Sequence, residues 1–218
     1  MEAVDRIMPT LDWISAIFLL SLICLVFAKG WFYPRFMNFI ILPFNNRYVV
    51  LYNKKGRLSS GFHMAFSLLQ VLNLSLFAYL GASGLLGERM MENAFLFPII
   101  LGGILLFTLL KIGLQWAGGY IFHMEKLFRT AVFHKMSYLN YSSVVLFGAN
   151  LLLAYLLPGS TFLIALAAVL FLTINIIGWI GLLKLFQNTI ANHLFYFILY
   201  LCALEIAPLL IVSNLIKA

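Results

Sequence analysis

Seven amide or ionisable side chains lie deep within predominantly apolar stretches: Gln70, Asn73, Lys111, Gln115, Asn150, Asn175 and Glu205. A lone charged carboxylate deep in hydrocarbon is costly, so Glu205 is expected to be protonated or paired. Counting inward at about 1.5 Å per residue sets Asn73, Asn150 and Glu205 each roughly 18 Å from one set of helix ends, with Lys111 and Asn175 roughly 12 to 14 Å deep. Lys111 is thus the basic residue within reach of Glu205, and an ion pair between them needs only that their helices be neighbours. Gln70 lies one turn from Asn73, and Gln115 one turn from Lys111, so these faces should point inward. Ala203 and Ala207 flank Glu205 at a spacing that lets helices approach closely, and Pro208 leaves the Leu204 carbonyl without its usual donor, which predicts a kink. Two readings follow. The layer is interhelical hydrogen bonding worth about 0.6 kcal/mol per bond that fixes helix register, or it is the ion or proton site of a carrier. The chain shows neither the internal repeats nor the matched broken helices of many carriers, which favours the first.

The elements that must position these residues are membrane spans. With 64% hydrophobic and 10% charged residues, the chain has more apolar surface than one core of 218 residues can hide from water. A bilayer core roughly 30 Å thick needs about 20 apolar residues per crossing, and six runs qualify: 11–28, 61–82, 94–117, 138–157, 161–183 and 193–215. Their length and lack of alternation exclude a barrel. The predicted fold is all-α and polytopic, with residues 1–218 forming one membrane domain. Lys29, Arg35, Arg47, Lys54, Lys55 and Arg57 fall in the first connection, Lys126, Arg129 and Lys135 in the third, and Lys184 in the fifth. Glu2, Asp5, Asp12, Glu88 and Glu92 gather on the opposite side. Basic loops stay cytoplasmic, so both termini are expected outside, which in a bacterial inner membrane means the periplasm. The start Met1-Glu2-Ala3-Val4-Asp5 lacks a basic leader region, so the first span is expected to be retained.

On the basic side, the aromatic residues from Tyr48 to Tyr52 beside Arg47, Lys54, Lys55 and Arg57 suit an amphipathic loop lying on the membrane surface. After the third span, apolar residues at 121, 124, 128, 131 and 132 form one face opposite Lys126 and Arg129, which predicts an interfacial helix. The preceding Gly118-Gly119 pair suggests a hinge. Arg47, Lys54, Lys55, Arg57, Lys126, Arg129 and Lys135 are the expected contacts to anionic lipid or to a protein partner, at roughly 1 kcal/mol per base near the surface. His63, His123, His134 and His193 all fall near these span ends. Haem or metal ligation requires histidines to converge, and no paired ligand spacing is present, so water- or headgroup-bonded histidines are the favoured reading and no cofactor is expected. Cys24 and Cys202 lie within spans at no metal-ligand spacing.

Asn53-Lys54-Lys55-Gly56-Arg57 followed by Ser60-Gly61-Phe62, the Gly118-Gly119 junction leading to Glu125, Phe128 and Arg129, and the block from Phe197 to Pro208 resemble a domain-of-unknown-function family of integral membrane proteins from Bacteroidota. The resemblance covers most of the chain and implies a bacterial inner-membrane location without implying an activity. In layout the chain is also similar to Yip-type membrane proteins, which implies a scaffolding or lipid-interacting role. Catalytic classes find little support: the basic loops hold only Glu125 as an acid, and no nucleophile set or phosphate-binding glycine loop occurs. The expectation is a non-enzymatic scaffold, assembly or lipid-interacting protein, with membrane lipids and other inner-membrane proteins as partners and no nucleic acid. A carrier built on Glu205 and Lys111, and a membrane enzyme or haem protein using the histidines, are the alternatives.

Overall fold

The computed structural model describes residues 12–43, 47–53, 60–86, 95–121, 123 and 125–185. Among them the fold is all-helical: α1 Asp12–Trp31, α2 Tyr33–Ile40, α3 Arg47–Asn53, α4 Gly61–Leu86, α5 Leu96–Ile121, α6 Glu125–Leu151 and α7 Thr161–Leu185. Helix α6 ends in a π-turn at Leu152–Leu156, and Pro158 with Gly159 at φ 72° then reverses the chain before Ser160 starts α7. Five of these elements, α1, α4, α5, α6 with its π-turn, and α7, are long and apolar enough to cross a membrane. The expected sixth run at 193–215, with His193 and Glu205, lies outside the described residues, as do Lys54, Lys55, Arg57 and the side chains of Arg47 and Lys126.

Successive long helices run antiparallel. Trp13 meets Tyr79 and Phe32 meets Phe62 between α1 and α4, Tyr79 meets Phe97 between α4 and α5, and Tyr138 meets Gly178 between α6 and α7. It follows that α4 and α6 are parallel, and their contacts show one register: His63 to Asn140 and Asn73 to Asn150 are both 77 residues apart. Helix α4 is central because Phe62, Phe66, Leu69, Asn73, Leu76 and Leu80 repeat at alternating steps of four and three and are all buried. That period keeps one stripe facing a neighbour along several turns, as in left-handed helix packing. Ile14, Phe18, Ser21 and Ala28 form the matching stripe on α1. Leu105, Leu106, Leu109 and Leu110 of α5 point outward, as lipid-facing residues do.

Glycines mark the closest helix approaches. A Cβ built on Gly178 would lie 2.6 Å from Cγ of Tyr138, and one on Gly119 would lie 3.1 Å from Cβ of Phe128. The Gly118-Gly119 pair therefore does not act as a bend: α5 runs through it to Ile121, both glycines are buried, and α6 packs on them. The reversal falls later, around His123, whose φ is 54°. At Gly103 no atom lies within 4 Å of the place a Cβ would occupy. Gly103→Ala is thus expected to leave stability unchanged or raise it by about 0.5–1 kcal/mol, through helix propensity alone, in a dodecyl sulfate unfolding titration.

Two surface expectations are corrected. The stretch up to Lys135 is not a separate interfacial helix, because Glu125 to Leu151 is one continuous helix. Of the apolar face anticipated for lipid, Phe128, Ala131 and Val132 are buried in the protein and Ile121 is exposed, while residue 124 lies outside the described residues; Glu125 and Arg129 form an exposed pair 3.9 Å apart. The loop around Tyr48 is not an open segment either. It folds into α2 and α3, with Phe39, Leu42, Tyr48 and Val49 all buried. The aromatic rings of α4 and α6 cover α2 and α3, and the close approach of Gly119 on α5 covers Phe128.

Candidate functional site

The basic end of the bundle is closed by an aromatic collar. Pro34 disfavours helix at the residue before it, so α1 stops near Trp31, and Pro34 itself suits the first turn of α2. The turn points α2 back across the bundle. Phe39 then sits 4.5 Å from Phe66, 5.6 Å from Phe62, 5.5 Å from Tyr48 and 5.7 Å from Tyr141, ring centre to ring centre. Tyr48 stacks on Phe133 at 6.1 Å, and the Tyr138 hydroxyl donates to the Leu42 carbonyl at 3.3 Å. Two short helices are thereby fastened to both α4 and α6.

Arg35 lies inside this collar. Its Nε donates to the Tyr48 hydroxyl at 3.3 Å and its Nη1 to Ser60 Oγ at 2.7 Å, while its Cζ stands 5.0 Å from the ring centres of both Tyr52 and Phe62. Aromatic faces attract a guanidinium, by about 0.5–2 kcal/mol depending on desolvation. Among the described residues no carboxylate lies within 4 Å of it. Burial pushes the Tyr48 phenol above its ordinary pKa, with the neighbouring Arg35 charge pulling partly the other way. Arg35 thus meets a neutral hydroxyl, and no carboxylate among the described residues offsets its charge. Sequence reasoning counted Arg35 only as a topology charge. The signal was its place one turn before Phe39 on the buried face of an amphipathic α2. Of the anticipated lipid contacts whose side chains are described, Arg129 is exposed and Lys135 places Nζ 4.2 Å from the Trp179 ring centre.

A polar seam runs along the contact of α4 with α6. Asn150 Nδ2 donates to the Asn73 carbonyl at 2.8 Å, and Asn73 Nδ2 donates to the Leu69 carbonyl at 2.9 Å and to Ser21 Oγ of α1 at 3.1 Å. Asn140 Nδ2 lies 3.4 Å from Nδ1 of His63. All of these side chains are buried, as is Gln70. Asn175 belongs to another contact, donating to Ser142 Oγ at 3.2 Å and to the Phe171 carbonyl at 2.7 Å. Gln115 is buried on α5, with the half-buried Lys111 one turn away. Ser21 went unnoticed in the sequence, although it occupies the centre of the buried stripe of α1.

The three described histidines do not gather. His63 faces Asn140 and the Phe133 ring, whereas His134, rotated about 100° around α6 from Phe133, stacks on Tyr138 with ring centres 5.0 Å apart. His123 is exposed in the turn after α5. Among the described residues no three of His, Cys, Asp and Glu are placed to hold a metal ion.

Six buried side-chain atoms within the described residues have no hydrogen-bond partner: His63 Nε2, Gln70 Oε1, Asn73 Oδ1, His134 Nδ1, Asn140 Oδ1 and Asn150 Oδ1. Each such group costs about 1–3 kcal/mol if left dry, so the concentration of five of them on the α4–α6 seam is a property of the site. A family profile described as a domain of unknown function, DUF4271, matches residues 14–216. No curated protein and no solved structure matches the chain.

Proposed function

The chain belongs to the DUF4271 family, and from that premise we propose that it is a non-enzymatic bacterial inner-membrane scaffold or assembly protein whose basic, cytoplasmic face engages anionic lipid. The observation that carries this reading is Arg35: a guanidinium braced by two hydroxyls and two ring faces, with no carboxylate beside it among the described residues. Among the described residues two of its five N–H donors are used in these bonds, and a phosphate-bearing headgroup offers acceptors and negative charge to the others. Trp31 and Tyr33, both exposed next to the collar, suit the headgroup layer. Lys54, Lys55 and Arg57 follow α3 in the chain and add bases to the same connection. The layout similarity to Yip-type proteins supports the scaffolding half of the proposal.

Native mass spectrometry of the protein released from bilayers of equal phosphatidylglycerol and phosphatidylcholine tests the lipid half. Retained lipid is expected to be enriched in phosphatidylglycerol by about tenfold, the ratio given by 1.4 kcal/mol of preference. Arg35→Gln should remove most of that enrichment. Retention in the proportion supplied, by the folded wild-type protein, would set the proposal aside. Co-isolation of a fixed set of membrane proteins is the expected sign of the scaffold role.

A further inference from the structure

We propose that the contact between α4 and α6 is a hydrated seam, in which water beginning at His63 continues to the Asn73–Asn150 pair and meets there a site for a guest that presents positive charge to oxygen. The orientation of the inner amides carries the argument. Asn150 Nδ2 donates to one backbone carbonyl and Asn73 Nδ2 to another, at 2.8 and 2.9 Å. A carbonyl only accepts, so neither side-chain amide can be turned over without losing its bond, and in both the Oδ1 is the end left unpaired. The inner end therefore offers acceptors: two carboxamide oxygens on parallel helices, with Ser21 Oγ beside them.

The outer end has a different character. The Asn140 amide bonds His63 Nδ1 in the orientation that the ring tautomer sets, so His63 Nε2 and the far end of that amide are left as one unpaired donor and one unpaired acceptor, and two turns along α4 Gln70 Oε1 is unpaired as well. A guest that fits here must accept one hydrogen and donate others. Water does both, and a bare cation does not. Buried polar sites in proteins hold water where two or more groups converge on it. At the inner pair the same oxygens suit either the hydrogens of water or a monovalent cation, two sources of one chemistry. His134 is no part of the seam, because its ring is stacked on Tyr138.

The test uses the full chain in lipid nanodiscs with nitrogen-15 in its histidines, and His63→Gln to assign the signal. Magnetisation transferred from water should reach His63 about as fast as it reaches the exposed His123. A dry core position would show transfer slower by at least about tenfold. In parallel, the unfolding midpoint is followed in sodium, potassium and choline chloride at equal ionic strength. Fast transfer with no cation preference assigns water to the whole seam. Fast transfer with a midpoint raised by one alkali cation, and lost in Asn150→Leu, assigns that cation to the inner pair. Slow transfer to His63 in the folded wild-type protein overturns the proposal.

Discussion

Phe39→Ala is expected to cost about 3–5 kcal/mol, the range for removing a fully enclosed aromatic ring. The ring is 2% exposed and touches rings from α3, α4 and α6 together. Its loss leaves a cavity that these neighbours cannot close without moving Tyr48, and Tyr48 in turn orients Arg35. Two readouts should therefore move together: the dodecyl sulfate midpoint falls, and proteolysis between α1 and α4 accelerates. The retained phosphatidylglycerol should fall as well, since the guanidinium loses its brace. A destabilisation below about 1 kcal/mol would mean that the cavity collapses freely and that the collar is not a consolidated unit.

The second large effect is a reversal of sign. Alanine is the better helix former, so Gly178→Ala in isolation should favour α7 by about 1 kcal/mol. The new methyl carbon would instead fall 2.6 Å from Cγ and 2.8 Å from Cβ of Tyr138. Those atoms are the root of the side chain and cannot swing aside, so steric overlap decides and the net cost should be about 1–3 kcal/mol. With Tyr138→Gly already present both overlapping atoms are gone, and the same substitution at Gly178 should become neutral or stabilising. A coupling of about 1–3 kcal/mol between the two positions is the expected result of the double-mutant cycle. Additive effects would show that α6 and α7 do not meet at this point.

The long helices were legible because length and hydropathy are properties of a single segment. The expected 61–82 and 161–183 became Gly61–Leu86 and Thr161–Leu185, differing only at ends where polar and apolar residues mix. Counting also set Asn73 and Asn150 at one depth, and the structure joins them by a bond. What could not be read was where amphipathic faces find their cover. The stripe of Phe128, Ala131 and Val132 suits lipid and protein equally, and only the neighbouring Gly119 decides between them. Arg35 was obscure for the same reason. A base near a span end sets orientation in any membrane protein, and nothing local announces that Tyr48 and Ser60, 13 and 25 residues away, return to bind it. Ser21 was readable, since every buried residue of α1 lies on the repeat that contains it.

The parallel register of α4 with α6 also has a consequence in time. Partners 77 positions apart cannot meet until the chain between them has been made, and at the usual pace of synthesis that interval is about 4 to 15 seconds. Throughout it Asn73 and Gln70 have entered the bilayer with no α6 to receive them. A nascent chain at this stage needs a temporary companion, either α1, through Ser21, or an insertion factor that shields amides from acyl chains. Ribosomes stalled before residue 125 should display that companion to a photocrosslinker placed at position 73.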